Sequence, residues 1–414
     1  MTHAALIDHR TLYRLPWTLP DNAISWLEPT SACDLACDGC YRENLAGSHK
    51  PLPQVRKEIA AFRRLRNSDG ISIAGGDPLM HPDIVEIVRT VHELGMKPIL
   101  NTNGGRLSLP LLRELKKAGA YGFTFHIDSK QGRPGWKGKS EVELNALRLE
   151  YARMLDEVGG LTCSFNSTVY EDTLADVPEL LDWAAKHIDI VHVMVFILYR
   201  AAVPQTPFDW YAGAKKVDMD ALVYSEPGER RVDMKAPEVV AEIRKRFPDF
   251  TPSAYLNGTE QPDTFKWLLT GRVGTTERVY GYVGPRYMEI MQAGHHLGTG
   301  KYLAYATPKL MSKGRTMLLL SPFDDGVRSI AKRWAGSLLA NPIRLFRKMH
   351  FQSVMIIQPV DFLENGAQNM CDGCPDMTMW NGELVWSCRM EELKHFGCWV
   401  RTVPRDGANV PAAS

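Results

Sequence analysis

A chain of 414 residues, 44% hydrophobic and 23% charged, has the size and make-up of two or three globular domains. Its 49 Lys and Arg against 48 Asp and Glu leave a formal net charge of +1, which excludes a global electrostatic case for a nucleic-acid or acidic partner. No run reaches the roughly 18 apolar residues of a spanning helix. No apolar stretch opens residues 1–16 either, so no secretory signal is expected and a reducing cytoplasm is the expected compartment.

After an N-terminal extension (1–21), residues 23–30 predict a strand. Val55, Ile59, Phe62 and Leu65 recur at helical spacing, which predicts an amphipathic helix over 52–67. Ile71 to Ala74 reads as the second strand and ends in Gly75-Gly76-Asp77-Pro78. Pro82 suits a first helical turn; Ile84, Ile87, Val88, Val91 and Leu94 then share one face before Gly95 stops the helix. A third strand (Lys97 to Asn101), a helix at 109–118 and a fourth strand (Phe123 to Ile127) follow. A helix over 140–158, a fifth strand (Leu161 to Tyr170), a helix at 172–187 and a sixth strand (Ile190 to Leu198) complete the series. Six strand–helix alternations imply an α/β fold with a parallel sheet and right-handed crossovers. Beyond Arg200 the period breaks. Residues 201–365 are expected to cover the substrate, 366–403 form a Cys-rich segment, and 404–414 are expected to be a disordered tail.

Seven of the eight cysteines crowd into 33–40 and 371–398, which reads as metal ligation rather than a disulfide framework. Cys33, Cys37 and Cys40 are spaced C-x3-C-x2-C behind the first strand. Thiolates are the natural ligands of iron–sulfur clusters, and three from one tight loop can hold three irons of a [4Fe–4S] cluster. A zinc site or buried structural cysteines are the rival readings. The spacing, with Tyr41 directly after Cys40, resembles the radical S-adenosylmethionine (SAM) family over about 22–200. The resemblance implies a partial (β/α)6 barrel with its site at the C-terminal strand ends. It further implies that Cys33, Cys37 and Cys40 hold the cluster beside Tyr41, and that the open iron chelates S-adenosyl-L-methionine. Reductive cleavage to a 5′-deoxyadenosyl radical and hydrogen abstraction from an unactivated carbon would follow, with an electron donor such as a flavodoxin or ferredoxin.

The other motifs fall at strand ends. Gly75-Gly76-Asp77-Pro78 resembles the family's GGE motif, which grips the SAM amino group through backbone and carboxylate; here Asp77 replaces Glu, and the run is also good turn chemistry. Asn101-Thr102-Asn103-Gly104 resembles ends that lie near the SAM carboxylate, with Asn103 the contact, or is a plain Asn-Gly turn. Asp128 and Ser129 are the candidate ribose contacts, whereas His126 beside them faces the pocket or packs under a helix, and the structural role is the expectation. Asn166 and Thr168 share one face of the fifth strand, Asn166 as a further SAM contact, while Cys163 faces the core. Arg200 ends the sixth strand as a carboxylate binder or a surface ion pair. His295-His296 sits in a Gly-rich loop without ligand spacing, and no catalytic residue is assigned.

Cys371-x2-Cys374-x13-Cys388-x9-Cys398 supplies four further thiolates. They resemble the auxiliary-cluster segments of SPASM/twitch-type members, which implies a second [4Fe–4S] cluster; zinc and unligated cysteines are the alternatives. Residues 327–350 alternate Arg328, Lys332, Arg333, Arg344, Arg347 and Lys348 with apolar groups. Such a stretch lies on a membrane surface or covers a barrel mouth with its charges solvated, and the second is the expectation. The expected substrate is a small molecule or lipid, ahead of peptide maturation. A non-catalytic electron-transfer or metal-sensing protein is the alternative from another class.

Overall fold

The computed structural model describes residues 7–203, 207–226 and 228–405, so the tail expected at 404–414 lies almost wholly outside the described residues. Strands β1 (Tyr13–Arg14) and β2 (Asp21–Thr30) come first. Helix and strand then alternate through α1 (Leu52–Leu65), β3 (Asn67–Gly75), α2 (Ile84–Glu93), β4 (Lys97–Thr102), α3 (Leu109–Lys117) and β5 (Gly122–His126). The alternation continues through α4 (Asn145–Val158), β6 (Thr162–Val169), α5 (Val177–Lys186) and β7 (Val193–Leu198). β2 to β7 lie side by side in chain order, every pair parallel. This is the expected partial (β/α)6 arrangement.

Period-two alternation decides what each strand face does. Ile71, Ile73, Leu100, Phe123, Phe125, Phe165, Met194 and Phe196 pack into the main core together with the helices' apolar stripes, such as Val55, Ile59 and Phe62 of α1. The opposite strand faces carry small and polar residues. Cys163 is buried in the core, as its face predicts. Helix α4 starts at Asn145 rather than 140, because the Glu143 carboxylate accepts from the Ser140 N–H (2.9 Å) and hydroxyl (3.1 Å) and holds that segment as a turn.

The aperiodic region holds β8 (Phe208–Ala212), β9 (Lys215–Lys216), α6 (Ala236–Arg246), β10 (Ala254–Leu256), β11 (Trp267–Thr275) and β12 (Arg278–Tyr282). Next come α7 (Pro285–Thr299), the short turns α8 (Pro308–Met311) and α9 (Gly314–Met317), α10 (Asp325–Ala340) and β13 (His350–Ile357). The chain closes through β14 (Asp361–Phe362), β15 (Gln368–Asn369), β16 (Met377–Trp380), β17 (Glu383–Trp386), α11 (Met390–Phe396) and β18 (Val400–Pro404). More than a cover, this region extends the sheet. β13 adds parallel to β7, β11 and β10 follow antiparallel, and β1 closes the row parallel to β10.

The two ends of the sheet approach each other. Leu15 and Trp17 after β1, Ala23 and Ile24 of β2, and Ala254, Leu256 and Trp267 of β10 and β11 form one apolar cluster. The Cys-rich segment sits in this seam: Cys371 bridges to Gly258, the Asp372 N–H donates to the Asn257 carbonyl (2.9 Å), and Asn22 Nδ2 donates to the Gly373 carbonyl (2.8 Å). β16 then runs beside β2. Two expectations change. His295 and His296 lie in helix α7 rather than in a loop. Residues 327–350 do not cover the barrel mouth: α10 packs on the outside against Val273, Tyr280 and Val283, and its C-terminal turn leads into His350 at the start of β13. That is the end where the parallel strands begin, since Ser353 pairs with Val193, the first residue of β7.

Candidate active site at the strand ends

The segment after β2 has no helix or strand of its own until α1. Short polar side chains hold it. Asn44 accepts the Cys33 N–H (2.9 Å) and donates to the carbonyls of Cys33 (2.9 Å) and Leu35 (3.2 Å). Gly39 has φ of +70°, and a Cβ there would stand 2.5 Å from the Tyr199 ring. Tyr199 packs against Tyr170 at 4.8 Å, and the Tyr170 hydroxyl donates to the Asp38 carbonyl (2.7 Å), so β6 and β7 wall one side of the loop.

The thiols of Cys33, Cys37 and Cys40 are half-buried, and burial raises all three above the usual cysteine range. For Cys37 the nearby Asp128, Cys40 and Cys33 add to the rise, which places the three sulfurs within mutual electrostatic reach. Without a cation they are neutral thiols at neutral pH, and binding a thiophilic metal would release protons. The donor set fits a thiolate-held cluster. Among the described residues no three His, Cys, Asp or Glu side chains converge tightly enough around one point to hold a single metal ion.

Gly75 and Gly76 serve the loop rather than lying open to a ligand. A Cβ on Gly75 (φ +110°) would stand 2.1 Å from the Thr30 carbonyl oxygen, and one on Gly76 2.3 Å from that of Ala32. The N–H groups of Gly76 and Asp77 donate to Thr30 (2.9 Å) and Ala32 (2.8 Å). The Asp77 carboxylate is also engaged: it accepts the N–H groups of Leu79 and Asn103, each at 2.8 Å, and the Thr102 hydroxyl at 2.7 Å. Burial pushes Asp77 up to about 6 against these hydrogen bonds. Asp77 ties the ends of β3 and β4 together through these three donors. Asn103 does reach the loop, with Nδ2 donating to Asp34 (2.7 Å) and lying 3.7 Å from the Cys33 sulfur.

Below the loop, strand register builds two polar rows on the inner barrel face. Asn101 pairs with Thr124 and Thr124 with Ser164; one level nearer the strand ends, His126 pairs with Asn166. Asn101 Nδ2, Thr124 Oγ1, Ser164 Oγ and Asn166 Oδ1 are buried with no hydrogen-bond partner among the described residues. Such groups are costly unless something completes them. His126 Nε2 meets Asp128 (2.9 Å) and Thr168 (3.0 Å). Burial would raise Asp128, but the hydrogen bonds from His126, the Lys130 N–H and Thr168 outweigh it and hold the carboxyl below the usual range. His126 thus turns to the inner face with its candidate neighbours rather than packing under a helix. The Ser129 N–H donates to Glu141 (2.6 Å). Arg200 is committed to Asp361 (3.0 Å), which also takes Lys266 (2.6 Å) and Lys235 (3.0 Å), so it is a buried ion pair rather than a free carboxylate binder.

In the second cysteine group the structure joins three members. The Cys374 thiol is raised well above the usual cysteine range, first by Cys371 beside it and then by burial, and Cys388 is pushed up to about 12 by burial and by Cys374. Asp376 stands beside Cys374 and Cys388 and is pushed up to about 7, chiefly by burial, with Arg66 opposing. Among the described residues no hydrogen bond joins Cys398 to the three. Arg66 donates to the carbonyls of Cys374 and Pro375, anchoring the group at the start of β3.

One residue that the sequence reading did not single out links the two groups. Arg42 is buried, pairs with Glu28 and Glu391 (2.7 Å each), and donates to the Ser387 carbonyl (2.9 Å), next to Cys388. Its own carbonyl accepts from the Cys40 thiol (3.3 Å). Tyr41, expected beside the cluster, has Glu28, Asp376 and Ser387 as neighbours. The only signal for this junction was the position of Tyr41-Arg42 behind Cys40; Glu28 is 14 residues away in sequence, but Ser387 and Glu391 are 345 and 349 away.

Residues 27–184 match the family described as the Radical SAM superfamily. The PqqA peptide cyclase of Methylobacterium nodulans is 26% identical over 246 residues, covering 55% of this chain and 62% of that protein. The AdoMet-dependent heme synthase of Oleidesulfovibrio alaskensis is 27% identical over 40% of this chain and 44% of that protein. For the GTP 3′,8-cyclase of Marinobacter nauticus the values are 29%, 25% and 32%. The chain thus spans less than two thirds of these relatives' own length. Among solved structures, Streptococcus suis SuiB bound to precursor peptide SuiA overlaps 44% of this chain and 40% of its own, at 17% identity and a TM-score of 0.36.

Proposed function

We propose, from the premise that residues 27–184 belong to the radical SAM superfamily, that the chain is an enzyme that cleaves SAM reductively and abstracts hydrogen from a carbon of its substrate. The observation that carries this is the pair of polar rows with unpartnered atoms directly beneath the three-cysteine loop. When bound, the [4Fe–4S] cluster and SAM supply one-electron cleavage to methionine and a 5′-deoxyadenosyl radical.

The chain's own residues bind, orient and exclude water. Cys33, Cys37 and Cys40 are the proposed cluster ligands. Asn103, beside Cys33, and the unpartnered amide of Asn101 offer donors. Thr124, Ser164 and Asn166 offer hydroxyl and carbonyl groups, and Asp128, kept ionised, accepts from hydroxyls. Gly75, Gly76 and Asp77 keep the loop against the strand ends. Ser129 and Tyr41 stay candidates for contact with the bound cofactors. Residues 22–200 bind cluster and SAM in this reading. The 366–403 segment holds a second metal centre at Cys371, Cys374 and Cys388, an iron–sulfur cluster in preference to zinc. A reduced flavodoxin- or ferredoxin-type donor supplies the electron.

For the substrate we favour a peptide over the free small molecule or lipid expected from the sequence. The match to a PqqA peptide cyclase runs over 55% of this chain, against 25% for the GTP 3′,8-cyclase. The AdoMet-dependent heme synthase, at 40%, keeps a small-molecule substrate as the second reading. The test uses reduced, reconstituted protein with SAM and extracts of cells grown in deuterated medium, split into peptide, small-molecule and lipid fractions. Deuterium should enter 5′-deoxyadenosine from the peptide fraction. Label from the small-molecule or lipid fraction alone would move the substrate to that class. Failure of Cys37→Ala to abolish 5′-deoxyadenosine release would overturn the activity itself.

A further inference from the structure

We infer that the face built by residues 309–348 docks on an anionic lipid surface. The charge of the chain is segregated here. Nine of its 49 Lys and Arg but only two of its 48 Asp and Glu fall in these forty residues, which therefore carry +7 while the remainder carries −6. One of the two acids, Asp324, is buried as the N-cap of α10, accepting from the Val327 N–H (2.8 Å). Lys313, Lys332 and Lys348 are exposed and have no carboxylate partner among the described residues.

Apolar side chains crowd the same tenth of the chain. Seven of the thirteen exposed large hydrophobic residues among the described residues lie here, with Leu339 90%, Phe346 83% and Leu319 77% exposed. Scattered exposed leucines need no explanation, but a contiguous cluster does. The cluster is contiguous: the turn at Leu318–Leu320 and the turn at Pro342–Phe346 both pack on α10, and Arg315 ties the first segment to the second through the carbonyls of Leu345 and Arg347. Large apolar side chains projecting from a rim of unpaired lysines match an interfacial surface, with the apolar tips among acyl chains and the ammonium groups at anionic headgroups. A soluble acidic partner would complement the lysines but not Leu339 and Phe346. No helix among the described residues is long and apolar enough to cross a membrane, and the contact proposed is with the bilayer surface. It lies at the strand-start end, so the cysteine loop at the opposite end stays open to solvent while the chain is docked.

The test is vesicle flotation of the full chain. The expected result is co-flotation with phosphatidylcholine vesicles containing about a third phosphatidylglycerol, weakened by salt, and at least about tenfold less with pure phosphatidylcholine. The pair Leu339→Asp and Phe346→Asp should abolish flotation. The triple Lys313→Gln, Lys332→Gln, Lys348→Gln should weaken it by about fivefold per charge. All five side chains are exposed, and unchanged thermal melts confirm the fold; should the aspartate pair unfold, the lysine triple alone decides. Equal flotation with neutral and anionic vesicles, or flotation with neither, overturns the proposal. So does a dimer by light scattering that the aspartate pair splits while the wild type ignores vesicles.

Discussion

The two cysteine groups are held in place in different ways. Cys33, Cys37 and Cys40 sit in one loop, fixed by Asn44, by close backbone approach at Gly75 and Gly76, and by two tyrosines. Cys371, Cys374 and Cys388 sit in the seam between the β10 and β2 ends of the sheet, anchored through Arg66, Asn22 and Asn257. The first is a local motif that the barrel supports. The second exists only once the ends of the sheet have met, so any metal it holds would be tied to the stability of that seam.

The sharpest way to break the first site without touching a thiol is Gly76→Val. The new side chain would meet the carbonyls of Ala32 and Ser31 at 2.3 and 2.5 Å. We expect near-total loss of iron from the loop in a variant lacking Cys371, Cys374 and Cys388, and destabilisation of about 3 kcal/mol. An unchanged iron count would mean that the loop is not held by this contact.

Arg42→Met tests the junction. It strands Glu28 and Glu391 in the interior, a loss of about 3–5 kcal/mol by urea unfolding, and should lower metal content at both sites together. Loss at one site alone would contradict a shared anchor.

Asp77 gives a pH signature. Its folded value, about 6, lies above the unfolded 3.8, so the folded state holds this proton more tightly. The associated stability is fully present below about pH 4 and lost as pH rises through about 6, an effect of about 2–3 kcal/mol. Asp77→Asn, measured by urea unfolding of the metal-free protein across that window, should lack this decline relative to wild type; parallel profiles would refute it.

The smallest effect is expected at Cys398→Ala, within about 0.5 kcal/mol and with second-site metal unchanged, whereas Cys388→Ala should lose that metal. Equal loss from both would restore Cys398 to the group.

What could be read from sequence follows the same division between local and distant. β2 to β7 and their helices were legible because each is specified by its own period, and the matched family range of 27–184 falls inside the 22–200 expected from the motifs. Register then follows from alternation, which is how Asn166 and Thr168 were placed on one face. β10 to β13 were not legible: β11 and β13 pair antiparallel across the intervening residues 276–349, with no repeated strand–helix crossover to announce them. Asp77 was found as a motif, but its partners Thr102 and Asn103 were not, because they lie at the end of the next strand. Arg42 and Asp376 were invisible because burial comes from the far end of the chain.

The central claim is that Cys33, Cys37 and Cys40 hold a cluster at which SAM binds. The most direct test is electron paramagnetic resonance of the anaerobically reconstituted, dithionite-reduced chain lacking Cys371, Cys374 and Cys388, recorded with and without SAM. The account predicts a reduced [4Fe–4S] signal whose g-values change when SAM is added. A signal that SAM leaves unchanged, or no cluster signal in a folded protein, would contradict it.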